Sequence, residues 1–538
     1  MEVEKKRVPE IVSEQLMYYY KHGLQSLFDM GTTMQDNVLM DIIELGKNSL
    51  YAKEHGFSDI QTKEDFALKV PVSEYEDYRA YVTENMKNDA KQLSELETEY
   101  YLLSTGYSNQ GKCYAETHLG ALARQVSIDI WNMMLAKTVP IMTDPNVKML
   151  AVTNCSPLEK AENGKAVRRT SGQAAKGLWE NHPQFYVYPY EFLEANMSDD
   201  DRDYLTAVYT LKEKHFNMLF CNNLAYFGVI LDWIEKCPQQ MIADIGTGHM
   251  TANISDQDRT ILEATFQADG ERAAELQKLL AEKEKLFVQD IWPDFVFVGA
   301  WLSGSVGRLA KDIMRRLPDT MQYISESYGS SEAMYNIPID FNCPYGPAAV
   351  YSCYFEFLSL DGSGQIVDMA HVEDGQYYEL LITTYSGLYR YNLHDIVRIQ
   401  GFTGTTANIE FCCRSTEVFI VNQKRVYGYE LTQFIEQAEA AFGCFISFYQ
   451  GLAEAGKLSI VVQPADEQFD EKGFSVCMSE IIKNRNLEPG KLYVMPRNYY
   501  HKLLRSFMTN GRNIQSIKLP LVADRENLQK LAIGIYEM

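Results

Sequence analysis

The sequence lacks the marks of secreted, membrane-spanning and zinc-binding proteins. It contains no uncharged apolar run of about 18 residues that could cross a membrane. Its N-terminal stretch MEVEKKRVPEIVSEQ is charged and has no apolar segment, so we expect no signal peptide. Its 10 cysteines are scattered and form no paired C-x-x-C motif. We therefore expect a cytoplasmic protein with reduced thiols.

Positive charge is also scarce. The chain has 50 Lys and Arg residues against 73 Asp and Glu residues, a formal charge of −23, and no tract rich in Lys or Arg. Because an acidic surface repels nucleic acids and anionic membranes, we expect neither as a partner. A site for an anionic ligand must therefore gather its cationic and backbone N–H groups locally.

The chain is long enough for at least two domains and alternates between helical and strand-like segments. Its 538 residues exceed one ordinary core, and 46% hydrophobic with 23% charged residues is a globular composition. Helical spacing extends over residues 11–55, where we expect GTTMQDN, at 31–37, to be a loop between two helices. A charged helical segment, 256–286, separates the last two of three predicted strands, at 149–155, 241–246 and 294–301. This alternation predicts an α/β core.

The pattern changes after residue 350. Closely spaced β-segments such as VYSCYFEFLSL and QYYELLITTY fill residues 350–425 and predict a barrel or an antiparallel sheet. The remainder, roughly 415–538, returns to helices and short strands. We interpret that end as a small α+β domain.

The stretch STGYSNQGKCYAETH begins as an incomplete phosphate-binding loop. From Gly106 to Lys112 it has the P-loop spacing G-x-x-x-x-G-K, but Cys113 stands where Ser or Thr would hold Mg²⁺. A strand is predicted at 99–105, and Thr117 is expected to cap a helix that begins well after the lysine. This offset disfavours a P-loop and leaves an ordinary glycine turn as the simplest alternative.

A different phosphate-binding loop explains the stretch better. It resembles the adenylate-forming signature S-S-G-T-T-G-x-P-K-G-x-x-x-T-H, with Tyr107 in place of a Thr and Gly111 in place of a Pro. The resemblance implies that hydroxyls, backbone N–H groups and the lysine contact the β- and γ-phosphates of ATP. The matching residues are Ser104, Thr105, Gly106, Ser108, Lys112, Thr117 and His118.

The segment YGSSE resembles a second element of the same superfamily, Y-x-S/T-S/T-E. The resemblance implies that Tyr328 stacks on adenine and that the Glu332 carboxylate holds Mg²⁺ between the phosphates. Between them stand Gly329, Ser330 and Ser331. A strand-ending turn with an incidental glutamate is the structural alternative.

Three charged residues complete the resemblance. Asp395 begins a β-run, where its two oxygens can accept the ribose hydroxyls, and Arg414 matches the arginine at the domain hinge. Lys518 corresponds to a late lysine that steadies charge on the α-phosphate. His394 and Cys413 occupy places where that superfamily often has Gly, and we interpret His394 as structural ahead of a proton carrier.

Longer stretches narrow the resemblance to one family. YFEFLSL, YYELLITTYSGLYRYNLHDIVRIQGF and RNIQSIKLPLV resemble the auxin-responsive acyl-acid amido synthetases, the Gretchen Hagen three family, over about residues 30 to 525. The resemblance implies a large adenylation domain at 1–413, with ATP and acyl sites and a β-barrel part at about 350–413. It also implies a small mobile C-terminal domain at 414–538.

The implied activity is an ATP- and Mg²⁺-dependent ligation. A carboxylic acid is adenylated and its acyl group passes to an amine, here expected to be an amino acid, with Lys518 and Glu332 as catalytic residues. The helix after the signature loop lines the acyl pocket in this family, which suggests Arg124, Ile128 and Trp131; Arg124 could equally be a solvated surface residue. Two alternatives stay open: an acyl-CoA ligase, and a catalytically silent homologue that binds a nucleotide or metabolite.

Overall fold

The N-terminal part of the chain is helical. The computed structural model describes residues 5–88, 90–104, 111–152, 159–168, 179, 181–466, 468–508, 519–523, 525, 528 and 532–538. Its first helices are α1 (Val8–Glu14), α2 (Leu16–His22), α3 (Gln25–Phe28), α4 (Gly31–Gly46), α5 (Leu50–Glu54), α6 (Lys63–Lys69) and α7 (Tyr75–Asn88).

The loop predicted at 31–37 is wrong, because these residues form the first turns of α4. Met34, Val38, Leu39 and Ile42 recur at helical spacing and are buried together, so tertiary burial outweighs the polar turn-like sequence. Gly31 permits a close approach to the later sheet, since a Cβ there would lie 2.0 Å from the Thr406 Oγ1.

A small sheet carries the signature stretch. Its strand order is β2-β1-β5-β4, with β1 (Thr98–Leu103), β2 (Cys113–Thr117), β4 (Glu159–Lys160) and β5 (Ala166–Arg168). The strand predicted at 99–105 is confirmed over β1, which pairs antiparallel with β2. The Ser104 N–H donates to the Lys112 carbonyl at 2.8 Å and extends this pairing past the strand ends.

Helix α8 (His118–Thr138) follows β2 directly and starts at its predicted cap. The Thr117 hydroxyl accepts a hydrogen bond from the Gly120 N–H. Leu119 and Val126 pack with the N-terminal helices, whereas Met134 and Leu135 pack against a parallel sheet. The helix is therefore buried between two layers, as its apolar residues on both faces predict.

The parallel sheet has the strand order β3-β6-β7-β8, formed by β3 (Met149–Val152), β6 (Met218–Cys221), β7 (Phe297–Ala300) and β8 (Gln322–Ser325). Strands predicted within 149–155 and 294–301 are thus present. The helices that follow β5 are α9 (Tyr190–Glu194), α10 (Asp199–Lys212), α11 (Ala225–Lys236), α12 (Pro238–Thr247), α13 (Asp256–Thr265), α14 (Gly270–Lys283), α15 (Val288–Ile291) and α16 (Gly304–Met314).

The strand predicted at 241–246 is wrong, because this segment lies inside α12. Pro238 occupies the first helical turn, where its missing N–H costs nothing. Met241, Ile242 and Ile245 then fall on one buried face at helical spacing. The charged segment 256–286 is helical as predicted.

The β-rich stretch forms a six-stranded antiparallel sheet, one of the two predicted alternatives. Its order is β11-β10-β12-β13-β14-β9, from β9 (Tyr345–Pro347), β10 (Cys353–Ser359), β11 (Ile366–Asp368), β12 (Tyr377–Thr384), β13 (Tyr391–Thr403) and β14 (Thr406–Arg414). Strands β13 and β14 pair so that Asp395 lies opposite Arg414. The register places two candidate site residues side by side at one end of the sheet.

The C-terminal part has its own mixed sheet, ordered β17-β18-β19-β20. Its elements are β15 (Val418–Val421), β16 (Lys424–Tyr427), α17 (Gly428–Phe442), β17 (Ile446–Glu454), β18 (Lys457–Pro464), α18 (Glu471–Asn484), β19 (Pro489–Val494), α19 (Tyr499–Met508) and β20 (Gly534–Glu537). The whole is a mixed α/β fold. Across the described ranges, no helix combines the length and apolar character needed to cross a membrane.

Candidate active site

The YGSSE loop leaves the carboxyl end of β8, the edge where open parallel sheets place their ligands. Its first residue is fixed by two contacts. The Tyr328 N–H donates to the Asn336 side-chain oxygen at 2.7 Å, and the Tyr328 ring lies 4.7 Å from that of Tyr335. These contacts fix the start of the loop at the carboxyl end of β8.

Within the loop, Ser330 orients the predicted magnesium ligand. The Ser330 hydroxyl donates to the Glu332 carboxylate at 2.5 Å and accepts from the Glu332 N–H at 3.1 Å. Tyr335 also contacts this hydroxyl through its phenol. The carboxylate therefore has a defined direction, which an incidental turn residue would not need.

The structure brings Asp395 and Arg414, the two residues of the ribose prediction, together with Tyr328. The Asp395 carboxylate accepts from the Tyr328 phenol at 2.6 Å and lies 3.0 Å from the Arg414 Nε. Asp395 is buried, and its charge raises the pKa of the Arg414 guanidinium further above its ordinary value. Arg414 keeps 43% of its side chain exposed, so a ligand can reach the guanidinium.

Lys112 lies beside this cluster. Its Nζ donates to the Tyr391 phenol at 3.2 Å and lies 5.4 Å from the centre of the Tyr75 ring. Burial lowers the pKa of the ammonium, the nearby Glu332 charge opposes that shift, and Arg414 adds to it. The lysine is therefore electrostatically coupled to both other parts of the candidate site.

Besides Lys112, Ser104 is the predicted phosphate-binding residue of the signature loop that the structure describes. Its hydroxyl is buried, and no described residue offers it a hydrogen bond. A buried hydroxyl without a partner is costly, which suits a site that a ligand oxygen completes. The calls for Thr105, Gly106, Tyr107 and Ser108 lie outside the described residues, as does that for Lys518.

The three residues predicted for the acyl pocket occupy different environments. Arg124 is buried and donates to the backbone carbonyls of the YGSSE loop, so the alternative of a solvated arginine is wrong. Ile128 is largely exposed, whereas the Trp131 ring lies 5.9 Å from that of Phe220 on the parallel sheet. The Trp131 indole N–H is buried without a hydrogen-bond acceptor in the part of the chain described. Contact of all three with an acid stays a prediction.

His394 joins an ionic network on β12 and β13. Its Nδ1 lies 3.0 Å from the Glu379 carboxylate and its Nε2 lies 3.3 Å from Glu74. The hydrogen bond to Glu379 is the largest cause that raises the pKa of the imidazole. His394 also has a left-handed backbone, with φ at 57°, which explains why glycine suits this position. Both ring nitrogens have carboxylate partners, which supports the structural interpretation.

A cavity of about 370 Å³ lies near the site, although its lining includes none of the predicted site residues that the structure describes. Phe411 lines the cavity and also lies 5.3 Å from the Tyr328 ring. The walls come from α16, β14 and α17, with Gly304, Arg398, Cys412 and Gln433 among the lining residues. A volume of this size falls within the usual range for small-molecule sites.

Sequence reasoning missed several residues that hold the site together. Asn336 fixes Tyr328, Tyr391 contacts Lys112, and Glu116 lies behind Arg124. Tyr391 belongs to the quoted stretch GLYRYN, and an aromatic residue so near Asp395 was a usable signal. Glu116 had no such signal, because it stood only as part of the spacer CYAE.

Family models and curated relatives that match this chain come from the GH3 family. The model of the GH3 family N-terminal domain matches residues 21–320, and that of the GH3 family central domain matches residues 347–414. The 4-substituted benzoates-glutamate ligase GH3.12 of Arabidopsis thaliana is 21% identical, with 93% of this chain and 94% of the relative covered. The indole-3-acetic acid-amido synthetase GH3.4 of the same plant is 22% identical, with coverages of 93% and 90%.

A solved structure agrees on the fold. The GH3.15 acyl acid amido synthetase in complex with 2,4-DB superposes with a TM-score of 0.81 at 19% identity. The match covers 99% of this chain and 98% of that one. The two parts of the chain therefore have the overall architecture of that enzyme.

Proposed function

The chain belongs to the GH3 family, and on that premise we propose that it is an ATP-dependent acyl acid amido synthetase. An oxygen of a carboxylic acid attacks the α-phosphorus of ATP, which forms an acyl-adenylate and releases pyrophosphate. The nitrogen of an amine then attacks the acyl carbon, the bond to AMP breaks, and the amine loses one proton. The products are an amide, AMP and pyrophosphate.

One observation carries the proposal. Lys112, Glu332 and the pair Asp395–Arg414 come from distant parts of the sequence, and the fold brings them within electrostatic reach of one another. Two cations and two carboxylates, from three different sheets and their loops, therefore lie near one another. A polyphosphate needs such a local collection in a chain whose overall charge is −23.

We assign the nucleotide to this cluster. Asp395 accepts the ribose hydroxyls, Arg414 binds ribose or phosphate, and the Tyr328 ring stacks on the adenine. The phosphates extend toward Lys112 and Ser104. By resemblance, Thr105, Gly106, Tyr107, Ser108 and Gly329 to Ser331 also contact ATP, and Lys518 stabilises charge on the α-phosphate.

Glu332 fits the role of magnesium ligand. Mg²⁺ in nucleotide sites takes one or two carboxylates plus phosphate oxygens, and Ser330 directs this single carboxylate. The ion would neutralise charge on the phosphates. Ser330 keeps the Glu332 carboxylate oriented, and Lys112 supplies a positive charge near the phosphates in addition to that of the ion.

We further propose two domains, 1–413 and 414–538, that rotate between the half-reactions about a hinge at Arg414. A rotation must break the contact of α16 with the C-terminal part. There Arg308 pairs with the Glu439 carboxylate, and its Nε donates to the Ile446 carbonyl at 2.8 Å. Both side chains of the ion pair are largely buried, so its separation needs replacement by water or new partners.

The acid and amine are proposed by class. Two relatives are named for acids that carry an aromatic ring, 4-substituted benzoates and indole-3-acetic acid, and one of these two also for glutamate; a third is named for jasmonate and an amino acid. We therefore propose a small carboxylic acid near Trp131 and Ile128 on α8, and an amino acid as acceptor. An acyl-CoA product is the second candidate, because its first half-reaction is identical.

Release of pyrophosphate and AMP across a panel of acids tests the proposal. Assays contain ATP and Mg²⁺ with one acid, alone or with an amino acid mixture or CoA. Pyrophosphate release that needs only the acid supports adenylation, and AMP and amide that need the amino acid support amide formation. A thioester formed with CoA favours the second candidate, while ATP binding without consumption favours a silent homologue.

A paired substitution adds the site to the test. Lys518→Ala should abolish adenylation and leave ATP binding intact, while Lys502→Ala on the exposed side of α19 should change neither. Unchanged turnover in Lys518→Ala would remove that lysine from the mechanism.

A further inference from the structure

We propose that Arg124, with Glu116 as its counter-charge, is a positioning residue for the loop that carries Glu332, and not a ligand of the acyl acid. The inference concerns the site of the proposed function and rests on it for the identity of the nucleotide. Its structural basis is the set of contacts between β2, α8 and the YGSSE loop.

The Arg124 side chain reaches from α8 to the backbone of that loop. Its Nη1 donates to the Ser330 carbonyl at 2.9 Å, and its Nη2 donates to the Ser331 carbonyl at 3.2 Å. Arg124 is only 9% exposed. A planar fork that binds two successive carbonyls fixes both the position and the orientation of the peptide between them.

That peptide leads directly into Glu332. The Ser330 hydroxyl, which orients the Glu332 carboxylate, belongs to the first of the two residues that Arg124 holds. Loss of the guanidinium would free two carbonyls at the loop's centre. The loop could then rotate its peptides and turn the carboxylate away from the phosphates, with no change in the acid's own contacts.

Glu116 supplies the charge that keeps the guanidinium in place. Its Oε2 lies 3.7 Å from the Arg124 Nη2, and it is 2% exposed. The fold leaves room for this carboxylate, because a Cβ on Gly120 would lie 3.0 Å from the Glu116 Oε1 and 2.4 Å from the Ser386 Oγ. The pair therefore occupies a space that the chain keeps open at Gly120.

The pair also connects the two loops of the site. Glu116 lies on β2, the strand that continues from Lys112, and Arg124 lies on the helix that follows β2. The junction is anchored, since the Thr117 N–H donates to the Ser386 hydroxyl at 3.2 Å. One rigid unit thus carries Lys112 at its start and holds the Glu332 loop at its end.

The acid's carboxylate could bind the two terminal nitrogens of Arg124 only by displacing their existing partners; the buried Nε has no hydrogen-bond acceptor among the described residues. Both terminal nitrogens already donate to carbonyls, and Glu116, when ionised, places a negative charge 3.7 Å from Nη2. A second carboxylate would leave two buried carbonyls without donors, which is unfavourable.

Glu116 gives the arrangement a readout near neutral pH. Burial raises the pKa of its carboxyl to about 7, although the Arg124 charge opposes the shift; Glu99 on β1, which pairs with His118, adds to it. Protonation removes the counter-charge of Arg124. We expect the affinity for ATP to weaken as the pH falls below about 7 in the wild type.

The experiment compares Arg124→Lys, Arg124→Ala and Glu116→Gln with the wild type and with Gln125→Ala, an exposed neighbour on α8. Calorimetry measures the Kd for ATP with Mg²⁺, and turnover measures separate KM values for ATP and acid. Because an ammonium cannot hold both carbonyls, Arg124→Lys should weaken ATP binding roughly ten- to hundredfold and change the acid KM less than about threefold. Gln125→Ala should change neither.

Glu116→Gln keeps the inference falsifiable if the Arg124 variants do not fold. It should remove the pH dependence of ATP affinity around neutral pH and weaken binding at pH 8. A raised acid KM with normal ATP affinity in Arg124→Lys, or an unchanged pH profile in Glu116→Gln, would overturn the inference. If the wild type binds ATP but consumes none with any acid, the proposed function fails, and the calorimetric comparison still decides the role of Arg124.

Discussion

Two arginine–carboxylate pairs in the six-stranded antiparallel sheet differ in how completely the protein satisfies them. Arg390 donates from Nε to both oxygens of Glu356 and from Nη1 to the carbonyls of Ala67 and Val70. Its side chain is 7% exposed and that of Glu356 6%. Arg414 pairs with Asp395 but remains 43% exposed.

The difference separates a structural ion pair from a ligand-binding one. Arg390 ties the loop after α6 to β10, so its guanidinium has no capacity left for a ligand. Arg414 stands at the end of β14, beside the phenol of Tyr328 and within the field of Lys112. The same residue pairing thus stabilises the sheet at one place and can serve recognition at the other.

The largest predicted effect is on the stability of the protein, through the buried pair Arg390–Glu356. Arg390→Ala leaves the Glu356 carboxylate and two carbonyls buried without partners, so the free energy of unfolding should fall by about 3–5 kcal/mol. Chemical denaturation of the purified protein measures it, with Arg414→Ala as the matched control expected to lose less, because water can reach the place of its partly exposed guanidinium. An equal loss of unfolding free energy in Arg390→Ala and Arg414→Ala would contradict the division into a structural pair and a ligand-binding pair.

The next largest effect is on activity, through the partly exposed Arg414 of the pair with Asp395. Arg414→Ala should lower kcat/KM for ATP by about 10²–10³ because a cation that stabilises developing phosphate charge is lost, while the fold is retained. Arg414→Lys should recover only part of the activity, since an ammonium cannot form a planar fork. Steady-state kinetics with circular dichroism as the folding check measures both; full activity in Arg414→Ala would disprove the role.

A smaller effect sharpens the comparison at Asp395. Tyr328→Phe removes the phenol that orients the carboxylate at 2.6 Å, at a cost of about 1 kcal/mol. ATP affinity should weaken about fivefold. Tyr378→Phe, which removes a phenol elsewhere in the sheet, is the control and should bind ATP normally. Calorimetric titration distinguishes the two; parity between them would mean that the phenol does not position Asp395.

The smallest effect lies in the network beside Asp395. Because the His394 pKa is raised above 6.5 by Glu379, its ion pairs with Glu379 and Glu74 stabilise the fold at lower pH and are lost as the pH rises through the raised value. The charge of Lys112 opposes them. His394→Gly relieves the left-handed strain but removes the pairs.

Its stability relative to wild type should therefore rise with pH, by less than about 1 kcal/mol between pH 5.5 and pH 8.5. Thermal unfolding at several pH values measures the change, with His55→Gly as the control, because the His55 imidazole contacts the Tyr51 carbonyl and pairs with no carboxylate among the described residues. A difference that does not vary with pH would assign the effect of His394 to backbone strain alone.

What the sequence predicts well is local. The cap at Thr117 and the strand before the signature loop depend on neighbouring residues, and both are present. The strand predicted at 241–246 was wrong because a short apolar run suits a strand and a buried helix equally. YGSSE, Asp395 and Arg414 were identified by their resemblance to a known superfamily, and their proximity is a property of the fold.

The role of Arg124 illustrates what sequence cannot supply. Its partners, Ser330 and Ser331, lie 206 and 207 residues away, and only the packing of α8 against the YGSSE loop joins them. The loop of 31–37 failed for the same reason, because the burial of α4 against the sheet is a tertiary effect. Long-range packing decides both cases.

The pairing of β1 with β2 has a consequence for how this enzyme can diversify. Ser104 and Lys112 are joined by a backbone hydrogen bond, and the strands behind them are in continuous register from Tyr100 to Leu103. The two chain ends that flank residues 105–110 are therefore held at a fixed separation. The more common adenylate-forming version of this segment could be grafted between the same two residues, and nucleotide preference could evolve there without any change to the lysine or the helix that follows.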